Sequence, residues 1–230
     1  MGGARVVSTG EFVVRPYESR DRDAVRNVCF ETGFMGEPVD WMWKDRESFS
    51  DIFTGYWTDR EPESASVAEL NGDVVGYLLG CADSRRVWNV GKLVTHHAFR
   101  RGLLLRPGTA GAFWRMFYDG ISDAIRKNLP PVTYYDERWP AHLHIDLLPV
   151  CRGHNVGATL VNGWLENLKA RGIKGCHLQT MAQNDKAIGF FERMGFEKRG
   201  RPEGAPGFRT RSGDRMSVQL MVLPFQPADG

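Results

Sequence analysis

The chain has 230 residues and a mass of 26.0 kDa, with 42% hydrophobic positions, 25% charged positions and a formal net charge of +2. This length predicts one large domain or two small ones, and the apolar content excludes a disordered chain. The small net charge excludes a global attraction to nucleic acid or to an anionic membrane. Because the sequence has no apolar run of about 20 residues and its first ten residues lack the apolar core of a signal peptide, we expect a cytoplasmic protein that does not enter a membrane.

The four cysteines are isolated from one another, at Cys29, Cys81, Cys151 and Cys176. A disulfide framework or a zinc site needs closer spacing, such as a CxxC pair. We therefore expect single thiols and no metal site.

The N-terminal third predicts a strand, helices and a hairpin. Phe12–Val14 is a β-prone run that ends before Pro16, and apolar positions at helical spacing follow Ser19. Aromatic residues within 37–63 are spaced for one or two amphipathic helices. Two β-prone runs then flank Asn71-Gly72, a pair that strongly predicts a tight hairpin turn.

The segment 84–140 is harder to interpret, since it matches no motif. It has apolar residues at helical spacing, which we expect to be buried in the core: Phe113, Trp114, Phe117, Tyr118, Ile121 and Ile125. The segment is also basic, whereas residues 37–73 are acidic. The basic side chains can form a solvated face, pair with the acidic segment within the fold or across a homodimer, or form a weak polyanion surface. No helix-turn-helix, RNP or zinc signature favours nucleic-acid binding.

The run AHLHIDLL, residues 141–148, alternates with the period of a strand. His142, His144 and Asp146 are expected on one face, and the apolar residues between them on the other. A histidine with a near-neutral pKa can take a proton, so these three are candidate catalytic residues. The alternative is that they form buried structural hydrogen bonds.

A glycine-containing loop follows this strand and precedes a helix that ends at Gly172. Such a loop presents free backbone N–H groups at the positive end of a helix, which suits a phosphate or pyrophosphate. Gly153 and Gly157 permit close approach, and Asn155 tolerates a left-handed backbone. A strand at 175–181, a helix at 187–194 and a closing strand at 215–225 complete a mixed α/β sheet flanked by helices.

Two segments resemble the Gcn5-related N-acetyltransferase (GNAT) superfamily. PVCRGHNVGATLV resembles its pyrophosphate loop, [R/Q]xxGx[G/A], with Asn155 in place of the middle glycine. Asn184 through Phe196 resembles the pattern NxxAxxxYxxxGF, with Phe191 at the tyrosine position. WPAHLHIDLLP looks most like bacterial acetyltransferases related to the C-terminal acetyltransferase-like domain of O-GlcNAcase. The resemblance implies a single acetyltransferase domain over residues 1–230, with an atypical helical insertion at about 84–140.

The resemblance also implies acetyl-CoA as cofactor. Pantetheine would then pair with backbone near Ile145 and Leu147, between two splayed parallel strands, and Asn184 and Phe191 would contact the cofactor. The pyrophosphate would lie on the loop residues Arg152, Gly153, His154, Asn155, Val156, Gly157 and Ala158.

The implied reaction is direct attack of an amine, from a small molecule or from a protein lysine or terminus, on the thioester. Asp146, His144 and His142 would remove its proton, and the AHLH run also resembles arylalkylamine acetyltransferases, which use two histidines there. Phe191 cannot protonate the leaving thiolate, so water, Tyr134 or Tyr135 would serve. The alternative is a non-catalytic module that binds acetyl-CoA or a protein partner.

Overall fold

Seven strands form one mixed sheet in the computed structural model, which describes residues 11–87, 89–126 and 134–225. The strands are β1 (Phe12–Pro16), β2 (Ala65–Leu70), β3 (Asp73–Cys81), β4 (Ala141–Leu147), β5 (Gly175–Met181), β6 (Glu197–Arg209) and β7 (Arg215–Pro224). The α-helices are α1 (Arg22–Thr32), α2 (Arg46–Arg60), α3 (Val90–Arg100), α4 (Ala110–Ile125), α5 (Val156–Ala170) and α6 (Asp185–Arg193). The predicted fold class, a mixed sheet flanked by helices, is confirmed.

The sheet has the order β1-β2-β3-β4-β5-β7-β6, and only the β4–β5 pair is parallel. That pair is short. Ala141 lies opposite Cys176 and His142 opposite His177, and beyond these two positions the strands separate although both continue for several residues. A gap therefore opens in the middle of the sheet, with backbone groups along both inner edges.

Apolar clusters cover both faces of the sheet. On one face, here called the α2 face, side chains of α1 and α2 pack with Tyr77, Leu79 and Met216 of the strands. On the other, the α5 face, side chains of α5 and α6 pack with Leu143 and Leu178. Because strand side chains alternate, β4 presents its polar residues to the α2 face and its apolar residues to the α5 face.

Local sequence signals are confirmed where they involve a glycine or asparagine with a positive φ. The β2–β3 hairpin turns at Asn71 (φ 55°) and Gly72 (φ 91°), as an Asn-Gly pair favours. Helix α5 ends two residues before Gly172 (φ 68°), a left-handed C-terminal cap. The four cysteines are free thiols, all buried.

Strand β6 was missed by the sequence analysis. Its segment carries Gly200, Pro202, Pro206 and Gly207 and few β-branched residues, which is typical of a loop. The structure accommodates them by two shifts in the register with β7, and both glycines adopt left-handed conformations. Long-range pairing with β7 therefore overrides local propensity.

The prediction that the aromatic stripe of residues 113–125 is core is wrong. Phe113 is buried, but Trp114, Phe117, Tyr118, Ile121 and Ile125 are 47–77% exposed. Helix α4 instead turns its acidic side chains towards β6 and β7. Asp119 Oδ1 accepts a hydrogen bond from Arg209 Nη2 at 2.7 Å, and Asp123 Oδ2 accepts one from Arg215 Nη2 at 2.7 Å.

The basic and acidic segments meet within the chain at a buried carboxylate. Asp45 caps α2 and forms ion pairs with Arg101 at 2.9 Å and with Arg106 at 3.0 Å. The expected intramolecular pairing therefore occurs at these positions. None of the described helices is long and apolar enough to cross a membrane.

Candidate active site

The polar face of β4 is placed as the alternation predicted. Asp146 lies opposite Tyr77 in the antiparallel ladder with β3, His144 opposite Leu79, and His142 opposite Cys81. His144 Nε2 lies 3.3 Å from Asp146 Oδ2. The structure thus brings the candidate catalytic residues together on the α2 face, beside the gap.

Tyr77 organises this group and was missed by the sequence analysis. Its hydroxyl donates to Asp146 Oδ2 at 2.6 Å and lies 3.1 Å from His144 Nε2. The side chain is fully buried. Burial and then the neighbouring Asp146 raise the pKa of Tyr77 well above its usual value, so the hydroxyl stays protonated and donates. The hairpin and the alternation of β4 were both predicted, but the register between β3 and β4 was not, and that register creates the contact.

Cys29 of α1 borders the same group, and its thiol, the His144 ring nitrogen and an Asp146 oxygen lie within 4.8 Å of one another. Burial raises the pKa of the Cys29 thiol, so it stays protonated. Because the Tyr77 hydroxyl already bridges the histidine and the carboxylate, we interpret the group as a hydrogen-bonded network.

His142 lies deeper than the other two, stacked on Trp57 and in a tilted contact with His177. Its ring centroid is 5.9 Å from that of Trp57 and 5.2 Å from that of His177. Burial, followed by the neighbouring histidines, lowers its pKa well below the usual 6.5. The expected near-neutral pKa is therefore wrong for His142: the ring is held neutral, and its buried Nδ1 has no hydrogen-bond partner among the described residues.

The loop after β4 adopts the geometry that its composition predicts. Gly153 (φ 79°) and Asn155 (φ 59°, ψ 9°) are both left-handed, so the asparagine occupies a conformation that glycine would otherwise supply. Helix α5 begins at Val156, and its first backbone N–H groups, like those of any helix, have no acceptor one turn earlier in the helix. These N–H groups point out of the positive end of the helix.

A cavity of about 410 Å³ lies at this helix end. Its wall combines the loop and the start of α5 with side chains of β4 and α6: Leu147, Cys151, Gly153, Asn155, Val156, Gly157, Ala158, Phe190, Arg193 and Met194. A Cβ atom at Gly157 would lie 3.1 Å from Leu147 Cδ1 and 3.3 Å from Phe190 Cζ. Glycine therefore keeps this part of the cavity open.

Two loop side chains do not line this cavity. Arg152 is exposed, and His154 is turned towards β1, with its ring 4.7 Å from that of Phe12 and its Nδ1 2.9 Å from the Arg152 carbonyl oxygen. Their backbone N–H groups are also engaged, since Arg152 N donates to the Pro149 carbonyl at 3.1 Å and His154 N to the Cys151 carbonyl at 3.3 Å. The prediction that these two residues bind the pyrophosphate is therefore not supported by their contacts.

The second motif has mainly structural contacts. Asn184 Oδ1 accepts a hydrogen bond from Ala187 N at 3.1 Å and so caps α6. Phe191 is buried on the α5 face, with its ring 5.7 Å from that of Phe196, whereas its neighbour Phe190 lines the cavity. Ile145 is partly buried on the same face.

Comparisons with known proteins agree with this fold. Residues 129–196 match the model of the acetyltransferase (GNAT) family. The crystal structure of SsHAT is 28% identical, with a TM-score of 0.65, over 93% of this chain and 98% of that one. The chain has the fold of a GNAT acetyltransferase. Two further structures share this fold. One is yncA from Salmonella typhimurium with its cofactor acetyl-CoA, at 13% identity and a TM-score of 0.55 over 95% of this chain and 96% of that one. The other is a GCN5-related N-acetyltransferase from Kribbella flavida, at 16% identity and a TM-score of 0.54 over 93% of this chain and 98% of that one.

The match to the family model and the shared fold agree with the predicted enzyme class, an N-acetyltransferase that uses acetyl-CoA. The residues present fit that cofactor. The cavity at the start of α5 offers backbone donors to a pyrophosphate, Gly157 leaves room beside them, and the inner edges of β4 and β5 offer free backbone groups to an amide-bearing arm.

Proposed function

We propose that this GNAT domain transfers acetyl from acetyl-CoA to a primary amine by direct attack. The observation that carries the proposal is the gap between β4 and β5. The anion-binding helix end lies on the α5 face of this gap, and the network of Tyr77, His144 and Asp146 lies on its α2 face. Cofactor and acceptor can therefore approach the gap from opposite faces of the sheet.

The loop and α5 hold the cofactor in this proposal. Backbone N–H groups of Gly153 and of Asn155 to Ala158 bind the pyrophosphate, whereas those of Arg152 and His154 already donate to the Pro149 and Cys151 carbonyl oxygens. The inner edge of β4 near Ile145 and Leu147 pairs with pantetheine. Asn184 and Phe191 contribute by fixing α6, which carries Phe190 against the cavity. Bound acetyl-CoA supplies an acetyl group activated as a thioester.

The β4 network prepares the amine. An amine is a nucleophile only after it loses its ammonium proton, and Asp146 with His144 is the acceptor for that proton. Tyr77 holds Asp146 Oδ2 in place at 2.6 Å. His142 acts as a neutral neighbour, since its lowered pKa makes it a weak base.

The leaving thiolate has no tyrosine at position 191 to protonate it. Tyr135 lies under Arg85, with the guanidinium carbon 4.6 Å from its ring centroid. Tyr134 contacts His177 with ring centroids 4.8 Å apart, close to the histidine cluster. We therefore keep Tyr134 and water as the candidate proton donors.

Several finer expectations remain part of this proposal. We propose that residues 1–230 form one acetyltransferase domain, with the helical segment 84–140 as an insertion. We further propose that the domain is related to the acetyltransferase-like domain of O-GlcNAcase, is cytoplasmic and forms a homodimer. The exposed face of α4 within that insertion supports a role in association rather than in the core.

The test combines binding and turnover. Calorimetric titration with acetyl-CoA and free CoA measures cofactor binding, and a coupled thiol-release assay with an amine panel measures transfer. Asp146→Asn should lower kcat by about 100-fold or more at nearly unchanged acetyl-CoA affinity, as expected for loss of a general base. His142/His144→Ala should act in the same direction.

Asp73→Asn, at an exposed hairpin position, is the matched control and should behave like the parent protein. Unchanged kcat in Asp146→Asn would remove this residue from the mechanism. Acetyl-CoA binding without transfer to any amine would favour the alternative, a binding module.

A further inference from the structure

A second cavity, of about 390 Å³, lies on the α2 face of the sheet. Its floor is a cross-strand row: Gln179 of β5 lies opposite Leu220 of β7, which lies opposite Arg199 of β6. Val218 and Glu203 form the next row on the same face. This cavity is thus on the opposite side of the sheet from the loop that we assign to acetyl-CoA.

The wall of the cavity comes from the irregular part of β6. Between Arg199 and Glu203 the register with β7 shifts, Gly200 is left-handed (φ 67°), and Arg201 lines the cavity. The bulge therefore does more than accommodate glycine and proline, because it brings a second arginine, besides Arg199, to the wall of the cavity.

Among the described residues, no ion pair neutralises the arginines of this cavity. In the described part of the chain, neither Arg199 nor Arg201 has a carboxylate within salt-bridge distance. Arg199 lies against the Trp139 ring, with its guanidinium carbon 5.6 Å from the centroid. Asp136, the nearby carboxylate, is engaged by Arg138 at 2.7 and 2.9 Å. Two arginines against the single carboxylate of Glu203 leave the cavity cationic.

Ring contacts connect the cavity to the candidate active site. Tyr134 lines the cavity and contacts His177, which in turn contacts His142. Gln179 is two residues beyond His177 on the same face of β5, about 7 Å along the strand. The cavity thus lies on the β5 side of the gap, and Asp146 and His144 lie on the β4 side.

We propose that this cavity binds the acceptor, and that the acceptor is a small amine that also carries a carboxylate. Guanidinium groups bind carboxylates with paired, charge-assisted hydrogen bonds, and the volume suits a small molecule. A carboxylate held by Arg199 and Arg201 leaves the amine end free to reach the gap. The inference rests on the proposed function, which supplies the reaction but not the acceptor.

The test compares each of the standard amino acids with its own carboxamide, in which a neutral amide replaces the carboxylate. Transfer is measured as kcat/KM, and binding is measured by calorimetry on the protein saturated with desulfo-CoA. Arg201→Gln should weaken binding of the preferred acid and raise its KM by about tenfold or more, with little change for the carboxamide. The ratio of kcat/KM for the acid to kcat/KM for the carboxamide is compared between variants, which cancels the difference in amine basicity.

Arg171→Gln, an exposed arginine at the end of α5, is the matched control and should preserve the ratio. Equal use and equal binding of acids and carboxamides by the parent protein overturn the inference while leaving acetyl transfer intact. Acid binding that Arg201→Gln does not weaken overturns the assignment to this cavity. Acid binding without transfer to any amine contradicts the proposed function, but supports the carboxylate site.

Discussion

Replacing Tyr77 by phenylalanine removes one fully buried hydroxyl from the network and leaves the ring in place. The hydroxyl donates to Asp146 at 2.6 Å and also contacts His144 at 3.1 Å. A hydrogen bond to a charged group contributes about 1.5–3 kcal/mol to stability. For a protein of this size each kcal/mol shifts Tm by about 2–4 °C, so we expect Tyr77→Phe to lower Tm by about 3–12 °C.

The chain offers a matched control in Tyr17→Phe. Tyr17 is 8% exposed, belongs to the same apolar cluster, and its buried hydroxyl has no hydrogen-bond partner among the described residues. Its loss should leave Tm unchanged or slightly raised. Differential scanning calorimetry of both variants gives the comparison. Equal Tm values for Tyr77→Phe, Tyr17→Phe and the parent protein would refute the role of Tyr77 as the organiser of the network.

Two further predictions concern the cofactor loop and acid stability. Gly157→Ala should weaken acetyl-CoA binding in calorimetry because its Cβ crowds Leu147 and Phe190. The control Gly163→Ala, in open space on the same helix, should bind acetyl-CoA normally and gain up to about 1 kcal/mol of stability. Equal acetyl-CoA affinities of the two variants would contradict the loop assignment. Burial lowers the pKa of His177 from 6.5 to about 4. The unfolded chain therefore binds a proton that the folded protein does not, and the free energy of unfolding should fall by about 3 kcal/mol from pH 6.5 to pH 4. Urea titrations should show a smaller fall in His177→Gln, and parallel curves would exclude this cause.

The sequence predicted those parts of the fold that local chemistry determines. The Asn-Gly hairpin, the alternation of β4, the left-handed Asn155 and the cap at Gly172 each depend on a few neighbouring residues. The face of β4 that carries His142, His144 and Asp146 followed from a period of two.

The remaining features depend on contacts between distant segments. Strand β6 forms only because β7 pairs with it, and α4 turns its apolar stripe outward because Asp119 and Asp123 bind arginines about 90 residues away. Tyr77 reaches Asp146 through the register of β3 on β4, and Trp57 reaches His142 through the packing of α2. Spacing along the chain contains no signal for such pairs.

The two-pair contact between β4 and β5 leaves the backbone hydrogen bonds of the sheet in two nearly separate halves, although apolar side chains pack across both. Strands β1 to β4 form one hydrogen-bonded unit, and β5 to β7 form the other. Amide hydrogens on the inner edges, at 143–147 and 178–181, lack a neighbouring strand and should exchange with solvent faster than those on the outer edges of the same strands. A ligand that lies along both edges acts as the missing strand. Occupancy of the gap is therefore expected to join the two halves into one cooperative unit, and hydrogen exchange would report that joining without any assay of catalysis.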